Sequence, residues 1–362
     1  MSEQKLQSLR DQIDVIDEKL LELFNQRANC AIEVAEVKRA QDTDVEVNFF
    51  RPDREAQVIQ RIQKLNKGPL SDEEVGRLVR EVMSACLALE QPMKIAYLGP
   101  EGTFTQSAAL KYFGHSVTTL AMSAIPDVFT AVEVGQAEYG LVPVENSTEG
   151  VISHTLDMFI QSDLKVCGEV ETHIHHHLAN ISQDSSKISK IFSHQQSLAQ
   201  CRRWLDQNFP AIEKISVNSN AEAAKIASQD ESVAAICGLP AIEIFKLQVC
   251  SSNIEDLADN TTRFMIIGKQ AVDPSGNDKT SLLLSAKNQP GALIKLLKPL
   301  SDHGISMNKI ESRPSQDGKW EYVFFIDIDG HEQEDNVRQA LIKLEKQASL
   351  FKILGSYPKA VL

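Results

Sequence analysis

An arginine stands where a long helix should be burying hydrocarbon. From Leu6 the apolar positions run Leu6, Leu9, Ile13, Ile16, Leu20 and Leu23, and the rhythm continues through Arg27, Cys30, Val34 and Val37. That alternation of three- and four-residue steps is a heptad seam. A buried guanidinium without a counter-charge is very costly, so something anionic must meet Arg27. Two readings stand: a carboxylate of the protein itself, or an anionic ligand. Lys38 lies eleven residues on, on nearly the same face and about 16 Å further along the helix. Arg51, Arg54 and Glu55 in the string RPDRE (51–55) open the next helix, and Glu90 closes a third. Such a set can grip a small polyanion and stabilise negative charge on an oxygen.

A second group of polar strings falls at strand ends. YLGPEGTFTQS (97–107) reads as strand, glycine-containing loop and a helix from about Thr105. Backbone N–H groups at that helix start favour an anion, and a plain tight turn fits equally well. VPVENSTEG (142–150), SHQQSLAQC (193–201) and NTTRF (260–264) each combine a strand end with hydroxyl, amide or carboxylate groups. His173, His175, His176 and His177 look metal-like, and strand alternation puts His175 and His177 on one face. No further Cys or His lies at helpful spacing, so structural or surface roles are expected and no metal is assigned.

Three kinds of architecture must position these groups. Residues 1–92 read as all helix. No Gly or Pro interrupts 3–40, which makes a helix about 50 Å long that a domain of this size cannot cover without a partner chain. A second helix starts near Pro52, a first-turn proline, and stops at Lys67-Gly68-Pro69. A third opens with the capping box Ser71-Asp72-Glu73-Glu74 and runs to Glu90. Residues 93–270 alternate short apolar runs (95–98, 139–144, 191–193, 233–237, 264–267) with helical patterns. This is α/β organisation with parallel strands expected, in two lobes around a cleft. Residues 271–278 read as a linker. Residues 279–362 read as strand 281–286, helix 291–302, strands 305–312 and 320–328, helix 334–347 and strand 351–355, a βαββαβ unit of ferredoxin-like type.

A length of 362 residues suits two or three domains. The net charge of −13 disfavours nucleic acid and anionic membrane as partners, and it requires cations to be concentrated locally around any anionic substrate. No apolar stretch is long enough to span a membrane. The polar, helical N-terminus does not read as a signal peptide, so a cytoplasmic location is expected. The cysteines Cys30, Cys86, Cys167, Cys201, Cys237 and Cys250 form no C-x-x-C pair and read as reduced core residues.

Arg10, Arg27, Lys38, RPDRE and the terminal Glu90 together resemble the all-α class of chorismate mutase, over residues 3–90. The resemblance implies that Arg27 and Arg10 hold the two substrate carboxylates. Lys38 and Glu90 would hydrogen-bond the ether oxygen, and Glu55 would hold the substrate hydroxyl. Arg54, Cys86 and Arg51 fall beside them. Some members carry Asp where this chain has Arg51, so the contact made there is open. Arg10 and Arg27 lie about 25 Å apart along one helix, too far to grip one small ligand. Arg10 is therefore expected to serve a partner chain's site, in an intertwined dimer with two shared sites. Chorismate to prephenate is an intramolecular rearrangement that needs a compact conformer and stabilised ether-oxygen charge. A Glu90 that touches that oxygen must be protonated, so its pKa is expected to be raised.

GPEGTF, VPVENSTEG, SHQQSLAQC and NTTRF together resemble prephenate dehydratase over residues 94–268, a two-lobed α/β fold of periplasmic-binding-protein type. The resemblance implies that Thr262 is essential and that Arg263 and Phe264 complete a Thr-Arg-Phe motif. Glu145, Asn146, Ser147, Gln196 and the loop at Gly102 and Thr103 would line the cleft. The reaction expels carbon dioxide and hydroxide in one aromatising step, so the leaving hydroxyl needs a strong donor. A threonine hydroxyl is a poor acid and needs support, from Glu145 or from water. Arg263 reads as a partner for a substrate carboxylate or as a structural ion pair.

NQPGAL (288–293) and ESRP (311–314) resemble the ACT-type regulatory domain over residues 279–357. That implies a phenylalanine site between two such domains. Gly291 would open a helix whose N–H groups meet the ligand carboxylate, with Ala292, Leu293, Glu311, Ser312 and Arg313 completing the pocket. The alternative makes Gly291 a turn and Arg313 a surface charge. Together the three resemblances imply a bifunctional chorismate mutase/prephenate dehydratase of phenylalanine synthesis, feedback-inhibited by phenylalanine. Its partners would be chorismate, prephenate and that effector, with no cofactor, in a homodimer or dimer of dimers. Two other classes stay open: a two-lobed sensor without catalysis, and a dehydratase whose helical segment only dimerises.

Overall fold

The structure is a computed structural model that describes residues 2–41, 49–286, 289–314 and 322–360. Helix α1 spans Ser2–Gln41, α2 Pro52–Leu65 and α3 Asp72–Glu90. Pro52 sits in the first turn of α2, and the Ser71 side chain caps α3 by accepting from the Glu74 N–H. Helix α2 stops at Leu65, short of the expected Gly68 stop. Asn66 turns the chain there by accepting from the Gly68 N–H and donating to Leu70 and Asp72. Of the described side chains of α1, Ala35 alone is buried. The seam residues Leu6, Leu9, Ile13, Ile16, Leu20, Leu23, Val34 and Val37, expected to be covered, are all exposed in the single chain. Arg27 is exposed with them.

The middle of the chain runs β1 (Lys94–Leu98), α4 (Phe104–Phe113), β2 (Thr118–Met122), α5 (Ile125–Glu133), β3 (Tyr139–Asn146), β4 (Gly150–Val151), α6 (Ser153–Gln161) and β5 (Lys165–His173). The second lobe follows: β6 (His177–Asn180), β7 (Lys190–His194), α7 (Gln195–Gln200), α8 (Arg202–Asn208), β8 (Glu213–Val217), α9 (Asn220–Ala227), β9 (Val233–Cys237), α10 (Leu239–Ile244) and β10 (Gln248–Ser251). The chain then returns as β11 (Thr261–Gly268). Strand orders are β2-β1-β3-β11-β5, with β4 on β3, and β10-β6-β9-β7-β8. The sheets are mixed, which corrects the parallel expectation. The returning β11 inserts antiparallel between β3 and β5, and β6 runs antiparallel to β9 and β10. A chain that leaves a lobe and comes back arrives in the opposite direction.

The last segment runs β12 (Asp278–Ser285), α11 (Ala292–Asp302), β13 (Met307–Pro314), β14 (Tyr322–Asp329), α12 (Asp335–Gln347) and β15 (Leu350–Pro358). Its antiparallel sheet, ordered β13-β14-β12-β15, is the expected ferredoxin-like arrangement. Asn288 and Trp320, which open the NQPGAL string and the expected third strand, lie outside the described residues. Leu282, Leu284, Ile326 and Ile328 face the helices, where they meet Leu296 and Leu341. Leu283, Val323, Phe325 and Tyr357 face the other way and share a core with Val142, Phe159 and Met265 of the first lobe. The stretch read as a linker is packed: Val272 is buried, and the Asp278 carboxylate accepts from Ser275 and the Gly276 N–H. Among the described residues no helix is long and apolar enough to cross a membrane.

Candidate active sites

Arg27, Lys38, Arg51, Arg54, Glu55, Cys86 and Glu90 line one cleft of about 430 Å³ between the three helices. Helix α1 supplies the first two, the start of α2 the next three, and one face of α3 the last two, which are four residues apart. Phe49 closes one end, with Lys38 Nζ 5.5 Å and the Arg39 guanidinium 5.2 Å from its ring centre. Arg27 has no ion pair or hydrogen bond among the described residues. Burial pushes the Glu55 carboxyl up to about 7, against the pull of Arg80 and Arg27. Burial also raises Glu90, against Lys38, Arg27 and Arg39. Arg51 differs: it is held bidentately by Asp53 at 3.1 and 3.0 Å and by Asp273 at 2.7 Å. Two acids of this chain therefore supply the counter-charge of Arg51, whose contact the sequence left open, while its side chain still lines the cleft. Arg10 lies exposed on the far half of α1, away from this cleft.

In the α/β unit, strand register sets Thr262 opposite Asn146 on one side and Thr172 on the other. Asn146 Nδ2 donates to Thr262 Oγ1 at 2.8 Å and to Asn260 Oδ1 at 2.9 Å. Ser147 Oγ donates to the Asp259 carbonyl and accepts from the Thr261 N–H. The second lobe joins through α7. Gln196 donates to Glu149, and Gln200 Nε2 donates to Thr148 Oγ1 at 3.1 Å. Gln200 Oε1 accepts from Asn260 Nδ2 at 3.1 Å and from His176 Nε2 at 2.7 Å. Burial pushes His176 below its ordinary value, consistent with a neutral donor there. The Phe104 ring meets His176 edge-on at 5.7 Å. Gly102 and Thr103 stand outside this network. Gly102 adopts a φ of 83° and its N–H donates to Gln106, while Thr103 caps α4.

Period-two alternation separates residues that the Thr-Arg-Phe string sets side by side. Arg263 pairs in register with Glu145, on the sheet face opposite to Thr262. Arg263 binds Glu169 at 2.7 Å and Asp327 at 2.6 Å, and donates to the Tyr357 hydroxyl. Of its two readings, the structure has the ion pair. Phe264 is 2% exposed and sits in the core with Phe113 and Tyr139, so it is not a cleft residue. Glu145 pairs with Lys309 at 2.6 Å, which removes it from any relay to Thr262. Sequence reasoning gave Asn260, Gln200 and Glu149 no site role, although all three stand in strings it quoted, and it weighed His176 only as part of a metal-like run. It also missed Thr172, whose buried hydroxyl has no hydrogen-bond partner among the described residues.

The histidine run splits at the change of lobe, so strand alternation never applies to it. His175 binds Glu255 at 2.8 Å and stacks on His173. Among the described residues no group of three or more His, Cys, Asp or Glu is arranged to hold a metal. In the last segment Gly291 (φ 77°), Ala292 and Leu293 line a cleft of about 320 Å³ with Tyr322 and Phe324. Ser312 pairs with Phe324 and shares its face; Glu311 and Arg313 point to the other. Arg313 binds Asp157 of α6 at 3.0 Å, so it is neither a pocket residue nor a free surface charge.

A cationic three-helix cleft, a two-lobed α/β unit with an amide–hydroxyl network across its lobes, and a ferredoxin-like unit on the reverse of the first sheet define a multidomain enzyme with two separate sites. Family models agree segment by segment. Chorismate mutase type II matches residues 9–91, prephenate dehydratase 95–272 and the ACT domain 280–346. A bifunctional chorismate mutase/prephenate dehydratase from Pseudomonas aeruginosa is 53% identical over 99% of each chain. The solved prephenate dehydratase of Arthrobacter aurescens, in complex with L-Phe, is 31% identical, with TM-score 0.68 over 74% of this chain and 90% of that one. The Staphylococcus aureus prephenate dehydratase is 27% identical, with TM-score 0.61 over 73% of this chain and 100% of that one. The chain belongs to the bifunctional chorismate mutase/prephenate dehydratase family and carries both activities.

Proposed function

We propose that this enzyme serves phenylalanine synthesis, with chorismate rearranged in the helical cleft, prephenate dehydrated beside Thr262, and phenylalanine inhibiting through the C-terminal unit. The observation that carries the first site is a cleft in which Arg27 and Lys38 have no acid in contact among the described residues. A dianionic substrate supplies that charge. Lys38 and a protonated Glu90 then donate to the ether oxygen, where negative charge develops. The raised pKa of Glu90 supports that protonation state. Arg10 completes the site of a second chain, whose α1 covers the exposed seam. At the second site Asn146 occupies a lone pair of Thr262 Oγ1, which directs the Thr262 proton to the departing hydroxyl, and solvent water returns a proton to the oxygen that gives it up. The L-Phe complex of the Arthrobacter relative supports phenylalanine as the effector, and Gly291 and Ser312 are the residues we assign to it. Six free cysteines suit a reducing compartment, the cytoplasm.

The test is a progress curve from chorismate that follows prephenate and phenylpyruvate, with and without phenylalanine. Both products should appear in sequence, and phenylalanine should suppress the second. Phenylalanine binding without effect on either rate would remove the feedback part of this reading.

A further inference from the structure

The strands that present Asn146 and Thr262 are gripped from behind by charge. Glu145 and Arg263 are cross-strand neighbours on the reverse face of that sheet. Lys309 and Asp327 are cross-strand neighbours on the facing side of the C-terminal sheet. The two pairs meet as opposites, Lys309 on Glu145 at 2.6 Å and Asp327 on Arg263 at 2.6 Å. Arg263 and Asp327 are more than nine-tenths buried, so their separation is resisted by the cost of an uncompensated charge. Glu145 precedes Asn146 and Arg263 follows Thr262, so a displacement of either ion pair moves the backbone of a cleft residue. Strand β13 also faces two ways. Lys309, Glu311 and Arg313 are half-buried toward the first lobe, while Ser312 is exposed beside Phe324 and the Gly291 cleft.

We propose that Lys309 and Asp327 are positioning residues of the dehydratase site: through Glu145 and Arg263 they set the strands that carry Asn146 and Thr262, and β13 passes effector binding to Thr262 through this square of charge. The second half rests on the proposed phenylalanine site; the first does not. An effector controls a distant site only by binding two arrangements unequally, and a square of ion pairs on a shared strand supplies two discrete arrangements, docked and released.

The test uses the full chain with Lys309→Met and Asp327→Asn. It measures prephenate turnover, inhibition by phenylalanine, phenylalanine binding by calorimetry, and the chorismate reaction as a check on folding. For Lys309→Met the factor by which saturating phenylalanine slows prephenate turnover should fall about tenfold while calorimetric affinity stays near the parent's, and Lys309→Arg should restore inhibition. For Asp327→Asn, kcat for prephenate should fall about tenfold with KM near parental and the chorismate rate unchanged. Parental inhibition in Lys309→Met, or parental kcat in Asp327→Asn, overturns the proposal. If the parent chain neither binds nor responds to phenylalanine, the effector reading fails and the Asp327→Asn kcat still decides the positioning claim. If Asp327→Asn also loses the chorismate rate, its fold is damaged, and the prephenate kcat of Lys309→Met, at a half-buried site, decides instead: about tenfold down supports positioning, parental kcat overturns it.

Discussion

The helical cleft and the boundary between the dehydratase and C-terminal sheets both gather arginines with carboxylates, and they use them in opposite ways. Arg27 stands in a cleft whose nearby acids, Glu55 and Glu90, are pushed by burial toward their neutral forms. Arg263 is closed in by Glu169 and Asp327 with a tyrosine hydroxyl besides. A motif arginine is left open to a ligand only where the chain withholds the counter-charge. Arg51 and Arg313 follow Arg263 rather than Arg27, since each meets an aspartate of a neighbouring element.

Stability separates the two regions most sharply. Arg263→Ala leaves Glu169 and Asp327 buried without their partner and should cost about 3–5 kcal/mol in urea unfolding. Arg27→Ala at an exposed position should change stability by no more than about 0.5 kcal/mol. Equal costs would erase the contrast.

Activity should reverse the order. Arg27→Ala is expected to lower chorismate turnover by about 10²–10³-fold and leave added prephenate consumed at the parental rate. Thr262→Ala should do the converse. A joint loss in a folded variant would mean that the sites are not separate.

The pH profile of the mutase sharpens the electrostatic side. Burial raises Glu90, so its protonated, donating form persists above the usual carboxylate range and is lost as pH rises through that raised value. Chorismate kcat/KM should therefore fall with rising pH. Glu90→Gln, which keeps a donor at every pH, should flatten the decline. A parental profile already flat from about pH 5 to 8 would count against this role. The smallest effect is expected at the exposed seam. Ile16→Lys with Leu20→Lys should shift sedimentation toward a single chain and weaken the mutase, since Arg10 of the partner leaves with it; unchanged association would free the seam from that role.

Much of this was legible beforehand because it is local. The capped start of α3 at Ser71, the first-turn proline of α2 and the six elements of the C-terminal unit follow from residue types within a few positions of one another. The cleft residues Lys38, Glu55 and Glu90 were legible through their motif, and the helices bring them together. Glu145 and Phe264 lie elsewhere than their motifs suggested, and Arg263 takes one of its two readings. Glu145 and Arg263 neighbour cleft residues in sequence, and a strand turns neighbours to opposite faces; Phe264, two residues from Thr262, is closed off by Phe113 and Tyr139. The register with Glu145, the burial of Phe264 and the identity of Asp327 as the partner of Arg263 all depend on segments more than sixty residues away.

The order of residues alone determined which stretches are helix or strand and where the unusual cations fall, because propensity, capping and periodicity act over one or two turns. Only the folded chain decided which of those cations are spoken for. Coulomb attraction depends on distance through space, and the acids that settle the matter lie far off along the backbone: Asp273 for Arg51, Asp157 for Arg313, Glu169 and Asp327 for Arg263, and none in contact with Arg27 among the described residues.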